Sequence, residues 1–437
     1  METIYNKYLF PMDTYMDKQR LKDIIIDQHA IRLPAPLVKR DTYIDITQIK
    51  KSKQIIIISG LRRSGKSVLL EQLRHEAIES DYYINFDDDR LFDFKLEDFQ
   101  ALYELFIELY GIQKTFYFDK IQNIVGWERF VRRLHDAGNK LYITGSNASM
   151  LSMELGTRLT GRYVEYHLYP YSFSEFLNYK GFQAFKKSRL TTIDKGTLKG
   201  AFNEFMNDGG LPEYLEQKYA DYLHSLYESI LYRDVIVRYK ITNHQAVKEL
   251  VYYLASNLGK DCSFNALKKT LGLASATTVS NYCDYLQSTF LCYFVHRYNY
   301  SLKKQLQYAK KIYFIDQALA VNVGFRVSQD HGRLLENIVF LELIRRGKDV
   351  YYHKDKQECD FVLREKSKIT TAVQVCVSLD NDKTREREIA GLVEAMEAYQ
   401  LTAGLILTND TSATETIIVN EKSYQITILP VWLWCLT

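Results

Sequence analysis

No run of 18 apolar residues occurs anywhere in the 437-residue chain, so the sequence predicts no membrane-spanning helix. The first residues, Met1-Glu2-Thr3-Ile4-Tyr5, lack the basic flank and apolar stretch of a secretory signal. Cysteine is scarce, at six residues, with no C-x-x-C pair and no His/Cys cluster of zinc type. Those six read as reduced core thiols of a cytoplasmic protein. Low-complexity stretches and internal repeats are absent too. Net charge is only +3, so bulk electrostatics selects no partner. What is abundant is tyrosine, at 34 residues, a load that suits a protein interface and base stacking equally. A chain of this length exceeds one ordinary core, and two or three domains are expected.

The first chemical signal is "GLRRSGKS", Gly60 to Ser67, directly after Gln54-Ile55-Ile56-Ile57-Ile58-Ser59. Four consecutive isoleucines read as a strand buried on both faces of a parallel sheet. Val68-Leu69-Leu70-Glu71-Gln72-Leu73 reads as the helix that follows. G-x-x-x-x-G-K-[ST] between strand and helix is a phosphate-binding loop. Gly60 and Gly65 allow the tight turn that points successive N–H groups at phosphate oxygens. The cradle is expected to comprise Gly60, Arg62, Arg63, Ser64, Gly65, Lys66, Ser67 and Val68. Lys66 would reach the β- and γ-phosphates of ATP, and Ser67 would ligate Mg²⁺.

Further strands alternate with helices, as in a doubly wound α/β domain. Lys114 to Asp119 is an apolar strand ending in a carboxylate, the Walker-B arrangement, and Asp119 is a second expected Mg²⁺ ligand. Lys140 to Thr144 ends in Gly145-Ser146-Asn147, where Asn147, or else Ser146, would orient water near the γ-phosphate. Arg162, or Arg158 before it, would serve as an arginine finger on a neighbouring subunit's nucleotide, or else simply pair with a surface carboxylate. The finger role makes sense only in a homo-oligomer.

Together "GLRRSGKS", "FYFDKIQNIVGWERFVRRLHD", "YITGSNASMLSMELGTRLTGRYVEYHLYPYSFSEFL" and "GGLPEYL" resemble the bacterial and archaeal AAA-type ATPases that carry a C-terminal domain of unknown function. The resemblance runs from about residue 36 to the C-terminus. It implies a RecA-like P-loop ATPase core, a helical and winged-helix segment, and a restriction-endonuclease-like α/β domain. The chain divides accordingly into an extension (1–35), an ATPase domain (36–180), a helical lid with winged helix (181–330) and a C-terminal domain (331–437). One position departs from the family pattern Asp-Glu-Ile-Gln: this chain has Asp119-Lys120-Ile121-Gln122. An ammonium cannot take the proton of an attacking water as a carboxylate can. The readings are a slow ATPase, a substitution that traps nucleotide, or a base supplied by Asp87 or Glu128.

In the middle segment Ser263 caps one short helix and Ser275 starts a second, ahead of two strands, 291–298 and 311–315. Helix, turn, helix and hairpin in that order read as a winged helix. Residues 241–311 hold nine Lys/Arg against three Asp/Glu, which concentrates the basic excess here. That supports DNA contact, with Thr277, Thr278 and Asn281 in a groove and a hairpin tip of Lys303, Lys304 and Lys310 on phosphates. The alternative is a protein-contact module, which would make the chain a nucleotide-gated interaction switch. In the last domain an amphipathic helix from 332 to 344 carries Glu336, and Asp360 begins a strand. Both match a Mg²⁺-dependent nuclease site, yet Gln374 and Cys376 stand where Glu-x-Lys is needed. The expectation is a nuclease fold retired to binding or assembly, with Mg²⁺-dependent cleavage as a third reading.

Overall fold

The computed structural model describes residues 16–31, 37–40, 52–145, 159, 161–182, 190–219, 221–324 and 330–437. The chain forms two compact units. One runs to residue 167 less two short stretches; those stretches, around 38–40 and 60–65, belong with residues 168–437.

The first unit is built on a five-stranded parallel sheet. Its strands are β1 (Ile55–Ser59), β2 (Tyr82–Asn85), β3 (Thr115–Asp119), β4 (Lys140–Gly145) and β5 (Tyr163–His167), in the order β2-β3-β4-β1-β5. Every residue of β1 is buried, as a central strand covered on both faces requires. Burial of each isoleucine contributes about 1.5–3 kcal/mol. Ile58 lies level with Thr144, and Phe118 with Ile143, so β1, β4 and β3 end at one edge of the sheet. Helix Lys18–Ala30 belongs to the same core through Leu21, Ile24 and Ile25. Asp17 caps it, and Asp98 accepts the Met16 N–H at 2.9 Å just ahead of it.

The second unit begins with helices. Thr192–Asp208 opens on a capping box between Thr191 and Asp194 and stops at Gly209, whose φ of +72° suits a glycine. Pro212 then starts Pro212–Gln217 from the first helical position. The Gly-Gly pair in "GGLPEYL" has a packing reason. Asp316 accepts the Gly210 N–H at 2.7 Å, and a Cβ on Gly209 would stand 2.4 Å from the same carboxylate. After Tyr222–Ser229 the chain widens into a π-helical turn, Ile230–Val237, and His244–Ser256 follows. Ser263 and Ser275 cap Phe264–Thr270 and Ala276–Ser288 as expected, each through its side-chain oxygen. A three-stranded sheet then pairs β6 (Asp261–Cys262), β8 (Lys310–Phe314) and β7 (Cys292–His296).

A six-stranded mixed sheet closes the chain. It comprises β9 (Asp349–Lys354), β10 (Glu358–Glu365), β11 (Lys368–Val375), β12 (Ala403–Thr408), β13 (Ala413–Val419) and β14 (Lys422–Pro430), ordered β13-β14-β12-β11-β10-β9. Helix Asp382–Tyr399 covers one face, against β10, β11 and β12. Helix His331–Arg345 corrects the amphipathic expectation, because every residue from Leu334 to Leu343 is buried. It packs on β9 and β11 and also on β8, Gln317–Val323 and Thr192–Asp208, so no face is left for solvent. All six cysteines are buried and unpaired with one another. Among the described residues no helix is long and apolar enough to cross a membrane.

Candidate functional site

The phosphate loop emerges from β1 in the backbone geometry its glycines imply. Gly60 has φ +148°, and a Cβ there would fall 2.3 Å from the Leu168 carbonyl oxygen, so no larger residue fits. Gly65 has φ +94°, while Arg63, at +66°, takes a left-handed conformation without being glycine. Lys66 and Ser67 open helix Lys66–His75, whose dipole favours an anion at this end. The Lys66 side chain is buried, and the buried Ser64 hydroxyl has no hydrogen-bond partner among the described residues.

Asp119 ends β3 fully buried. Thr144, the penultimate residue of β4, donates its hydroxyl to Asp119 Oδ1 and accepts the Lys120 N–H at 3.0 Å. Asp119 Oδ2 has no hydrogen-bond partner among the described residues. A buried, unsatisfied carboxylate oxygen is costly unless something cationic completes it. This donor set fits Mg²⁺, a hard ion that prefers oxygen. Thr144 lies two and three residues before Ser146 and Asn147, the positions that the sequence singles out. Its signal was a lone hydroxyl closing an apolar strand. Asn147, Ser146 and Arg158 lie outside the described residues.

The arginines of the loop are already engaged. Arg62 forms a two-pronged pair with Asp234 at 2.8 and 3.0 Å, and Arg63 meets Glu213 at 2.9 and 3.0 Å. Arg40, fully enclosed, donates to the Ser64 carbonyl and to Glu175, both at 2.9 Å. Breaking such a buried pair from one side costs about 3–5 kcal/mol. The Arg62 and Arg63 side chains are thus both committed to carboxylates within the fold. Val68 continues the helix behind them.

Lys120 has φ +55°, and its ammonium lies 2.8 Å from Asp87 Oδ2. Glu128 is buried in the first turn of helix Trp127–Asp136. Arg162 donates to Asp136 at 2.8 Å on the surface of its own unit, the plainer of the two expected arrangements. That guanidinium holds the Asp136 carboxyl below its ordinary range.

Thr277, Asn281, Lys303 and Lys304 are exposed and Thr278 is half-buried. Lys303 and Lys304 sit on a short helix, Leu302–Gln307, between β7 and β8. Lys310 is a correction: it belongs to β8 rather than to a tip. Its ammonium lies 4.0 Å from the centre of the Phe264 ring, and burial lowers its pKa. Lys310 opens β8 half-buried, and the four residues after it, Lys311 first, are all buried.

In the last domain Glu336 and Asp360 both face the Lys311 ammonium, at 3.1 and 2.8 Å. Gln374 accepts the Asp360 N–H at 3.1 Å and donates to Glu388, so its amide is spent on internal bonds. Burial pushes the Cys376 thiol up to about 12. Lys311, whose ammonium joins the two carboxylates, comes from β8.

Residues 52–177 match an AAA domain, and residues 199–330 and 331–433 match two domains of unknown function, DUF8612 and DUF4143. Uncharacterized protein MJ1544 of Methanocaldococcus jannaschii is 34% identical over 454 residues, spanning the whole of both chains. An uncharacterized protein of Haemophilus influenzae is 34% identical over 355 residues, 76% of this chain and 85% of its own. Among solved structures, Cdc6p of Pyrobaculum aerophilum covers 66% of this chain and 96% of its own at 13% identity. Its TM-score of 0.27 is too low to carry an argument. The chain belongs to an archaeal and bacterial family that joins an AAA-type P-loop ATPase domain to a DUF8612 and a DUF4143 domain.

Proposed function

We propose that this chain binds ATP with Mg²⁺, hydrolyses it slowly, and couples nucleotide state to DNA contact through its middle segment. The observation that carries the nucleotide reading is the buried, unpartnered Oδ2 of Asp119 at the sheet edge where β1 delivers the phosphate loop. Main-chain N–H groups of the loop hold phosphate oxygens, and Lys66 neutralises the β- and γ-phosphates. Ser67 and Asp119 would hold Mg²⁺, and the Thr144 hydroxyl, by occupying Asp119 Oδ1, leaves Oδ2 for it. The chemistry that Mg²⁺ would supply, when held there, is neutralisation of phosphate charge. No group in the Lys120 side chain takes a proton from the attacking water, and losing a positioned base slows turnover by about 10²–10⁴-fold.

The DNA reading rests on the capped helix–turn–helix of 264–288 followed by the antiparallel pair β7 and β8, an order that supports a winged helix. The basic surplus of residues 241–311 falls on the same segment. For the C-terminal domain, the series helix, three strands, helix, strand from 331 to 408 supports a restriction-endonuclease-like lineage.

Titration with fluorescent ATP, with and without duplex DNA, tests both parts. Lys66→Ala should weaken nucleotide binding at least tenfold, and an unchanged affinity would remove the nucleotide reading. Lys303→Glu with Lys304→Glu should abolish salt-dependent DNA retention while leaving ATP binding intact. Retention indifferent to both charges would leave the protein-contact switch.

A further inference from the structure

β8 carries one lysine whose surroundings are unlike those of any surface cation. Lys311 is completely enclosed. Its ammonium stands 2.8 Å from Asp360 Oδ1, 3.1 Å from Glu336 Oε1 and 2.7 Å from Glu358 Oε1. An ammonium has three protons to give, and here three carboxylate oxygens receive them. The remaining oxygens are also served. Glu336 Oε2 faces Arg333 at 3.3 Å, while its Oε1, already facing Lys311, also accepts from the Tyr313 hydroxyl at 2.6 Å. Glu358 meets Lys354 at 2.9 Å, and Asp360 Oδ2 accepts the Val375 N–H at 3.0 Å. Burial works against the charge on Lys311, but the carboxylates outweigh it and hold the group protonated. A cleft of about 860 Å³ runs beside the cluster, lined in part by Arg333, Glu336, Glu358, Asp360 and Gln374.

A nuclease built on these carboxylates would need a divalent ion among them, and the residues do not fit one. Mg²⁺ requires oxygens at about 2.0–2.1 Å in octahedral array, whereas these are spaced for an ammonium. Gln374 is committed to Asp360 and Glu388, and Cys376 is held as a thiol. Among the described residues no group of His, Cys, Asp and Glu side chains is placed to hold a metal.

We propose that Lys311 is the resident cation of this cleft, taking the position a divalent ion would need and fastening β8 to the C-terminal domain in its place. The fastening has a second component: the Asn337 side chain bonds both the N–H and the carbonyl of Phe314, at 2.9 and 3.0 Å. The C-terminal domain consequently works without metal and does not perform metal-dependent phosphodiester cleavage. Neither statement depends on the nucleotide site.

The test uses the full chain without nucleotide, Mn²⁺ as probe, and two readouts, electron paramagnetic resonance of bound Mn²⁺ and thermal melting. The parent protein should bind no Mn²⁺ that is sensitive to Asp360→Asn, and its Tm should not respond. Lys311→Ala should melt several degrees lower, gain one Mn²⁺, and recover most of the lost Tm in its presence. Adding Asp360→Asn should cancel that gain. Should Lys311→Ala not fold without metal, Mn²⁺-dependent refolding reads the same property. Asp360-dependent Mn²⁺ binding by the parent, or indifference of Lys311→Ala to Mn²⁺ in melting and refolding alike, overturns the proposal.

Discussion

Lys120 shows how one side chain can alter a site whose backbone is in order. Its N–H is anchored to Thr144 and its left-handed φ fixes the direction in which the side chain leaves. The head group alone differs from what water activation needs. A glutamate placed there would stand beside Asp87, which now accepts the ammonium at 2.8 Å. Repulsion between two carboxylates would turn the new base away. Lys120→Glu with Asp87→Asn should therefore raise ATP turnover about 10²–10⁴-fold in a phosphate-release assay. Lys120→Glu alone should fall between the double variant and the parent. ATP binding without any gain in either variant would show that this slot is not where the base belongs.

At the scale of elements, the phosphate loop and the π-helical turn Ile230–Val237 are joined through the Arg62–Asp234 pair. π-helical turns are rare and concentrate at functional positions. Asp234 neutralises a guanidinium on a loop that has to receive a polyanion. Asp234→Asn keeps the shape and removes the negative charge from beside the loop. ATP affinity should rise about tenfold, equivalent to about 1.4 kcal/mol. Glu213→Gln should have a smaller effect, because Arg63 is well exposed and surface pairs contribute little. Equal or weaker ATP binding by Asp234→Asn would mean that the pair only holds the loop in place. The all-round burial of His331–Arg345 belongs to this scale as well. Its sequence reads as a one-sided helix, and only packing between the last sheet and the elements around β8 gives it two inner faces.

For the molecule as a whole, buried carboxylates set an unusual pH response. Burial raises Asp316 to about 6, against the opposing N–H donors of Gly210, Leu319 and Ala318. Burial and the charge of Asp360 raise Glu336 against the pull of Lys311. A carboxyl whose folded pKa exceeds its unfolded value binds more protons when folded, so stability falls as pH rises through that window. Glu358 has the opposite sign. Burial alone would raise it, but Lys311 and Lys354 bring it down to about 2, so its contribution is complete above the ordinary glutamate value and fades only in stronger acid. Burial lowers His29, His296 and His353, which contribute with the opposite sign over the same interval, so the test is differential: from about pH 4 to about pH 6 the urea midpoint of Asp316→Asn should fall less, or rise more, than the parent's. Parallel pH curves for the two proteins would contradict the assignment.

Local chemistry made much of this molecule legible. Four isoleucines, a glycine-bounded loop and a carboxylate closing an apolar strand place β1, β3 and the phosphate loop almost to the residue, because strand burial and turn geometry are properties of a few adjacent residues. Ser263 and Ser275 mark their helix starts for the same reason. Tertiary structure alone decided which distant charges meet. Arg62 finds Asp234 across 172 residues, and Lys311 finds Asp360 across 49. Nothing in the neighbouring sequence of either lysine or arginine encodes those partners. A charge pairs with whatever the fold brings within about 3 Å, and that depends on every packing contact between the two positions.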